Sequence, residues 1–370
     1  MKRIVQYAFI STLLSFVFIS CGQEGGSGDG LRSSSNLPKA QGQDREIYVV
    51  IDSALYAGEV GEIVRDIYAA PVPGLLKDEP WFTLRQINPL GITETLKRQQ
   101  NLIFVTALDQ TSRQNMEMQN FFSPQSLEAV RENPDRFMMR SEDEFARGQE
   151  IIYLFGATKS QLIANLEKNQ KDLRQYMVNK TLKSIQADIR NNRDNGITKE
   201  LREDRGYTLQ VPKGYYIARE FENLVWLRQP DQKIDKSVFV YSIPYTDEQS
   251  FDRERIMSLR DSVTKEYLYD IDKRDLYFEV EPLVPLYTDE FSFNGRYAVE
   301  SRGMWKMSDQ SVGGPFVSYM FVDENTNTLY YIDGFLIAPG QDKVEDLFEL
   351  EAIMSTFEVV ESNEPASPAA

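Results

Sequence analysis

Apolar and polar positions alternate between two rhythms along this chain. Residues 46–52 (EIYVVID) form a β-branched apolar run with polar flanks, the pattern of a strand. Leu55, Val60, Ile63, Val64 and Ile67 then fall near helical spacing until Pro71 and Pro73-Gly74 interrupt it, so a helix is predicted after the strand. Residues 81–87 and 102–108 predict two further strands, the second nearly all apolar and therefore central in its sheet. Ser123 and Pro124 supply the N-cap and first-turn proline of a helix that must end before Pro134. After a strand over 150–156 (EIIYLFG), Thr158 can cap one long helix predicted over 158–192. Its stripe of Leu162, Leu166, Asn169, Leu173 and Tyr176 steps by four and three, then shifts phase to Val178, Leu182, Ile185 and Ile189. A coiled-coil partner would leave those leucines exposed in the isolated chain, whereas the phase shift and the polar Asn169 favour a helix lying across its own sheet.

The second half has a denser rhythm. Residues 207–211, 223–228 and 237–243 predict three strands punctuated by Pro212-Lys213-Gly214, Pro230 and Pro244, an antiparallel meander. Thr246 or Asp247 can cap a helix carrying Phe251, Ile256, Leu259, Val263 and Tyr267, and strands return at 277–280, 297–305, 316–322 and 328–337. A helix over 342–354 and an edge strand over 356–360 close the pattern. Neither half shows strict βαβα alternation. The expected class is α+β: two α+β domains of mainly antiparallel sheets with helices packed on one face, the first over 45–195 and the second, sandwich-like, over 206–360. Residues 361–370 (ESNEPASPAA) predict a disordered tail.

The amino terminus carries an address. Lys2 and Arg3 precede an apolar run over 4–19, and Phe18-Ile19-Ser20-Cys21-Gly22 closes it with small residues around the only cysteine, which predicts a signal peptide over 1–20 and lipidation at Cys21. A plain membrane span is the competing reading, but about 20 apolar residues are needed and Gln6, Ser11, Thr12 and Ser15 interrupt this stretch. Lipoprotein signals of this kind commonly carry Asp after the cysteine when retained at the inner membrane; Gly22 therefore points to the outer membrane, on its periplasmic or its outer side. Residues 21–44, rich in Gly, Ser, Asn and Gln, predict a lipidated flexible tether with a root-mean-square reach of roughly 25 Å.

Composition narrows the chemistry. Loss of Lys2 and Arg3 with the signal leaves 39 basic against 57 acidic residues, a formal charge of −18 that repels nucleic acid and anionic lipid. With no histidine and a lipidated cysteine, the chain lacks the parts of a Ser-His-Asp triad, a Cys-His pair, an imidazole or thiolate zinc site, or a disulfide. No cofactor and no metal is expected.

Three clusters hold the tryptophans: Glu79-Pro80-Trp81-Phe82, Trp226-Leu227-Arg228, and Arg302-Gly303-Met304-Trp305; Gly313-Gly314-Pro315 is the fourth irregularity. Trp81, Trp226, Arg228, Arg302, Trp305, Gly313 and Gly314 are the candidate ligand patch, since a Trp beside an Arg stacks a sugar or peptide while the guanidinium takes a carboxylate. The structural reading of the same residues is a core Trp with an outward neighbour on a strand, and a glycine turn or bulge. Ser262 and Lys265 match a Ser-x-x-Lys spacing without its companion motifs. Asp270, Asp272 and Asp275 could offer oxygen ligands to a hard cation, but Lys273 and Arg274 neutralise the loop and no EF-hand pattern surrounds it.

Cys21-Gly22, Glu79-Pro80-Trp81-Phe82, Tyr153-Leu154-Phe155-Gly156, Val211-Pro212-Lys213-Gly214-Tyr215, Ile243-Pro244-Tyr245, Arg302-Gly303-Met304-Trp305 and Gly313-Gly314-Pro315-Phe316 together resemble a family of uncharacterised, lipid-anchored envelope proteins of Gram-negative bacteria. The resemblance implies compartment and globularity and brings no assigned activity. The second half is also loosely similar to the α+β sandwich of PsbP proteins, a likeness of fold only. The expected function is a lipid-anchored, non-enzymatic binding or assembly module meeting a protein, peptide or glycan partner; the alternative is a hydrolase cutting envelope glycan with two carboxylates near a tryptophan.

Overall fold

The computed structural model describes residues 37–269 and 275–360. Cys21, the predicted signal peptide, Asp270, Asp272 and the predicted tail over 361–370 lie outside the described residues.

The first half contains β1 (Glu46–Ile51), α1 (Ser53–Ala57), α2 (Glu59–Tyr68), β2 (Thr83–Ile87), α3 (Glu94–Lys97), β3 (Asn101–Ala107), α4 (Arg113–Gln119), α5 (Pro124–Glu132), β4 (Met138–Glu142), β5 (Glu150–Gly156), α6 (Lys159–Lys168), α7 (Gln170–Asn191) and α8 (Asn195–Arg205). Its five strands lie in the order β2-β1-β3-β5-β4. The first four are parallel and only β4 runs antiparallel, against β5. The α+β class holds for the molecule, but this sheet is not the antiparallel, one-face-covered layer expected. The reason lies in the apolar runs: every residue of β3 is buried. Ile103 and Val105 join one core with α2, α6 and α7, while Leu102 and Phe104 join another on the opposite face with Met118 and Val130 from α4 and α5. A strand buried on both faces needs no alternation, which is how parallel sheets read.

The helix predicted over 158–192 is two helices. Asn169 breaks it with φ −114° and ψ 19°, and its side-chain amide donates back to Asn165 O at 2.7 Å. Leu162, Leu166 and Leu173 are all buried against the protein's own sheet, so no exposed stripe is left for a coiled-coil partner. The expected tether is also shorter at its far end: Arg147 N donates to Pro38 O, Ala40 N to Arg147 O and Gln41 N to Arg98 O, fastening the chain before β1.

The second half contains β6 (Tyr207–Thr208), β7 (Tyr216–Glu220), β8 (Leu224–Gln229), β9 (Asp235–Pro244), α9 (Arg253–Tyr267), β10 (Phe278–Val280), β11 (Tyr287–Phe293), β12 (Arg296–Met307), β13 (Gly313–Asp323), β14 (Thr328–Ile337), α10 (Val344–Met354) and β15 (Glu358–Val359). Eight strands form one antiparallel sheet, β10-β12-β13-β14-β9-β8-β7 with β11 also on β12; β6 and β15 pair separately. One face packs on α9 through Ile256 and Val263, the other on α10 through Leu347, Leu350 and Ile353. Helices thus cover both faces here too. The α10 face merges with the first half's α2, α6 and α7 into one apolar core running from Ile47 to Phe357.

Candidate functional site

Open α/β sheets bind ligands where strand order reverses, at the carboxyl ends of the strands. In the first sheet that point lies between β1 and β3. Asp52 follows β1 and caps α1, its Oδ1 accepting from Ala54 N and Leu55 N at 2.8 and 3.0 Å. Its Oδ2 accepts from Ser112 Oγ at 2.5 Å, and Gln114 Oε1 accepts from Ser53 N at 2.8 Å. Asn115 Nδ2 donates to Ala107 O and Gln110 O. The two loops are laced to one another, and the crevice is filled by the protein's own hydrogen bonds.

The seven candidate patch residues do not converge. Trp81 and Arg302 do meet: the guanidinium lies 4.9 Å from the indole ring, in the seam where the 71–82 loop reaches the second sheet. Arg302 Nε donates to Glu300 Oε1 and Nη2 to Glu351 Oε2, both at 2.6 Å. Burial disfavours the Arg302 charge, yet Glu300 and Glu351 outweigh it and hold the guanidinium protonated well above its usual range. Burial pushes the Glu351 carboxyl up, against the pull of Arg302. Trp81, Arg302 and Glu351 are all buried, which makes this a structural ion network. Trp226 and Trp305 lie in the other core, each against Phe335, at 6.5 and 5.6 Å between ring centroids. Arg228 pairs with Asp235 at 2.5 Å on the neighbouring strand. Gly313 and Gly314 let β12, β13 and β14 close up: a Cβ on Gly314 would lie 1.9 Å from Leu336 O, and one on Gly313 2.6 Å from Trp305 O. Ser262 and Lys265 do not form a dyad either, since Ser262 Oγ donates to Ser258 O at 2.8 Å and Lys265 Nζ sits 4.5 Å from the Tyr277 ring centroid. Among the described residues no three His, Cys, Asp or Glu side chains gather to hold a metal, and no helix is long and apolar enough to cross a membrane.

A groove of about 750 Å³ lies at one end of the second sheet, where the β7–β8 turn, the end of β9, the β13–β14 hairpin and the end of α9 come together. Phe221 and Tyr267 form its aromatic side, with ring centroids 4.9 Å apart, and Tyr241 backs Tyr267 at 6.1 Å. Burial raises the Tyr241 hydroxyl, helped by neighbouring Tyr267, while its hydrogen bond with the Asn223 side chain works the other way. Asn223, Ser242, Thr326 and Asn327 also line it, but the Asn223 side chain is bonded to Tyr241, Asn327 Nδ2 donates to Tyr245 O at 3.3 Å, and Ser242 falls on the opposite face of β9 from Tyr241 and Ile243. The hairpin is held in place: Thr326 donates from N and Oγ1 to Asp323 Oδ2, whose other oxygen accepts from Arg296 at 3.0 Å. Asn327 takes φ 51°, a left-handed conformation that Asn tolerates, and Tyr245 N donates to its carbonyl at 2.9 Å. Glu222 is the one carboxylate among the described lining residues, and none of them is basic. Nothing in the sequence signals this convergence: Asn223, Ser242 and Ile243 fall in predicted strands, Tyr267 on a predicted helix face, and only Pro244 and the 323–327 segment read as turns.

Residues 194–356 match the family model described as a domain of unknown function, DUF4837, and residues 40–190 match a second, the domain of unknown function DUF8532. No curated protein matches the chain in sequence. Among solved structures, the Saccharomyces cerevisiae Ran-binding protein Mog1p is similar at 10% identity and a TM-score of 0.29, over 42% of this chain and 91% of that one. A Mog1 point mutant is similar at 11% identity and 0.28, over 42% and 92%. A Bacteroides thetaiotaomicron protein is similar at 12% identity and 0.25, over 43% and 47%. Likeness at this level carries no functional argument.

Proposed function

We propose that this chain, whose halves match two uncharacterised families, is a lipid-anchored protein of the cell envelope that works by binding, with the groove at the end of the second sheet as its contact site. Lipid on Cys21 holds it at the outer membrane, a reading supported by the lipobox-like closure of its apolar amino terminus. The groove carries the binding reading: it is a described concavity in which two aromatic rings and residues from four separate segments come together at the end of the second sheet. The alternative, a glycan hydrolase, needs two carboxylates flanking an accessible bond. Glu300 and Glu351 stand near Trp81, but both are bonded to Arg302, and Trp81 and Glu351 are shut inside the seam.

Two experiments test the two parts. Cys21→Ala should move the protein from the membrane to the soluble fraction, and continued membrane association would refute the anchor. The soluble Cys21→Ala chain, immobilised, should retain an envelope component that a further Tyr267→Ala change, which removes one of the groove's aromatic rings, no longer retains, with circular dichroism showing both chains folded. Undiminished retention by the folded Tyr267→Ala chain would refute the site.

A further inference from the structure

Three exposed apolar side chains surround one short stretch of β12. Leu76 and Leu283, 81% and 87% exposed, are the two most exposed large apolar residues among those described, and Tyr287 is 39% exposed. Single exposed leucines are ordinary, but these come from separate loops that lean on the same residues. A Cβ on Gly74 would lie 2.8 Å from Arg302 C and Gly303 N, so the 71–82 loop rests on β12 there. From the 281–286 loop Glu281 N donates to Met304 O at 2.8 Å, and Leu286 closes on Gly303, where a Cβ would lie 3.2 Å from its Cδ1. Tyr287 is the β11 partner of Arg302. Pro71, Pro73 and Pro80 in one loop, and Pro282 and Pro285 in the other, fix φ and stiffen the tips, so little ordering cost is left for binding.

We propose that Leu76, Leu283 and Tyr287 seat the protein on the head-group layer of a zwitterionic bilayer, a step that rests on lipid at Cys21 holding the chain at a membrane. The place where the chain enters the fold supports it. Residues 38–41 are fastened beside Arg98 and Arg147, just ahead of β3 and β5, and Arg45, just ahead of β1, donates to Pro80 O and Trp81 O. Because these strands are parallel, the entry at residue 37 and the 71–82 loop lie at the same end of the first sheet. The chain from Cys21 to Leu37 spans at most about 55 Å even when fully extended. An anchoring lipid therefore keeps this end, and the leucines with it, near the bilayer at a high effective concentration. Leucine tips beside a tyrosine suit the boundary between acyl chains and head groups. Charge selects the lipid: Lys77 pairs with Asp342 and Glu281 with Lys306, and the acidic chain repels anionic head groups, so the fitting surface is zwitterionic.

The test uses the chain from Cys21 onward, which contains every described residue, coupled through Cys21 to a maleimide lipid in phosphatidylcholine vesicles with brominated acyl chains. Leu76→Trp, Leu283→Trp and, as a control, Ser160→Trp beyond the carboxyl end of β5 each add one exposed indole to the three buried ones. All three sites are exposed, so the fold should tolerate the changes, which circular dichroism checks. The indoles at 76 and 283 should lose at least about half of their emission to bromine, since side chains seated at the acyl boundary lie about 5–10 Å deep. The indole at 160 should lose none, and adding Leu283→Asp to Leu76→Trp should restore emission. Unquenched indoles at 76 and 283, equal quenching at 160, or no effect of Leu283→Asp would overturn the proposal. So would shielding of the two indoles from acrylamide only when envelope protein is added, which would make the patch a protein interface. Because the lipid is supplied by coupling, these failures leave the Cys21 anchor standing; that reading falls by the fractionation of Cys21→Ala alone.

Discussion

Glu79 holds the two halves together from an unusual position. Helix α10 has no side-chain cap of its own; Lys343, at its N-cap, takes φ −117° and ψ −20°. The missing acceptor comes from the first half, where the buried Glu79 carboxylate reaches across and its Oε2 accepts from Lys343 N at 2.7 Å and Val344 N at 3.0 Å. Removing a helix cap costs about 1 kcal/mol, and an anion at a partly buried helix N-terminus contributes about 0.3–2 kcal/mol more. The buried Val344 N–H left without an acceptor adds about 1–3 kcal/mol to the loss if water cannot reach it, and the part-buried Lys343 N–H less. These terms overlap, so Glu79→Ala should lower stability by about 2 kcal/mol. Glu79→Gln keeps a carbonyl acceptor and should lose about half of that. The assay is urea unfolding followed by tryptophan emission, informative because Trp81, Trp226 and Trp305 are all buried. The comparison variant is Asp342→Ala, which removes only the exposed ion pair with Lys77 at 3.0 Å and should change nothing measurable. Were Glu79→Ala and Asp342→Ala to unfold at the same midpoint, the cross-chain cap would have no energetic role.

Arg302→Met should cost about 3 kcal/mol by stranding Glu300 and Glu351, while the double change Arg302→Met with Glu351→Leu should cost less than the single one; urea midpoints decide, and a worse double variant refutes the network. Burial raises the carboxyls of Glu351 and Asp333 above the ordinary range against the opposing pull of Arg302 and Arg260. Their raised native pKa values mean that the folded state holds more protons, so this contribution is complete below the unfolded carboxylate pKa of about 4 and is lost as pH rises through the native values. Glu351→Gln should accordingly gain on the wild type between acid and neutral pH, and a wild type that gains instead shows the sign to be wrong. Lys180, bonded to Asn101 Oδ1 and Gln100 O, is pulled down by burial to about 8, with Glu150 opposing. Reductive ¹³C-methylation should therefore give one lysine resonance titrating near pH 8, absent in Lys180→Arg; if every lysine titrates near the free-amine value, Lys180 is not desolvated.

The strands that were legible are those whose burial shows in composition. The strands predicted over 102–108 and 150–156 read directly, the first within one residue, because they are nearly all apolar, and β12 to β14 because their long runs are bounded by turns. What could not be read was direction, since the parallel pairing of β1 and β3 is set by crossovers whose helices are as short as the four residues of α3. Strands β4 (MMRSE), β7 (YIARE) and β11 (YTDEFSF) were missed because they keep many side chains half-exposed and lack a clean apolar face. Residues 207–211, predicted as a full strand, pair only at Tyr207 and Thr208, against the chain's own end at Glu358 and Val359. The tryptophans drew attention as chemistry and turned out to be packing. The groove escaped notice for the opposite reason: its parts come from four segments, each an ordinary turn or element end, and only the sheet's antiparallel order brings them together.

The fastening of residues 38–41 has a mechanical meaning if the chain is loaded from its amino-terminal side, as the proposed lipid anchor would do. A pull arriving from the amino terminus reaches first the backbone hydrogen bonds to Arg147 and Arg98, a short ladder standing outside the core, before it reaches any strand. Releasing the six residues from Pro38 to Gln43 would lengthen the leash by about 20 Å. The protein would thus give way in two stages, yielding slack at its leading end while the shared core behind stays whole.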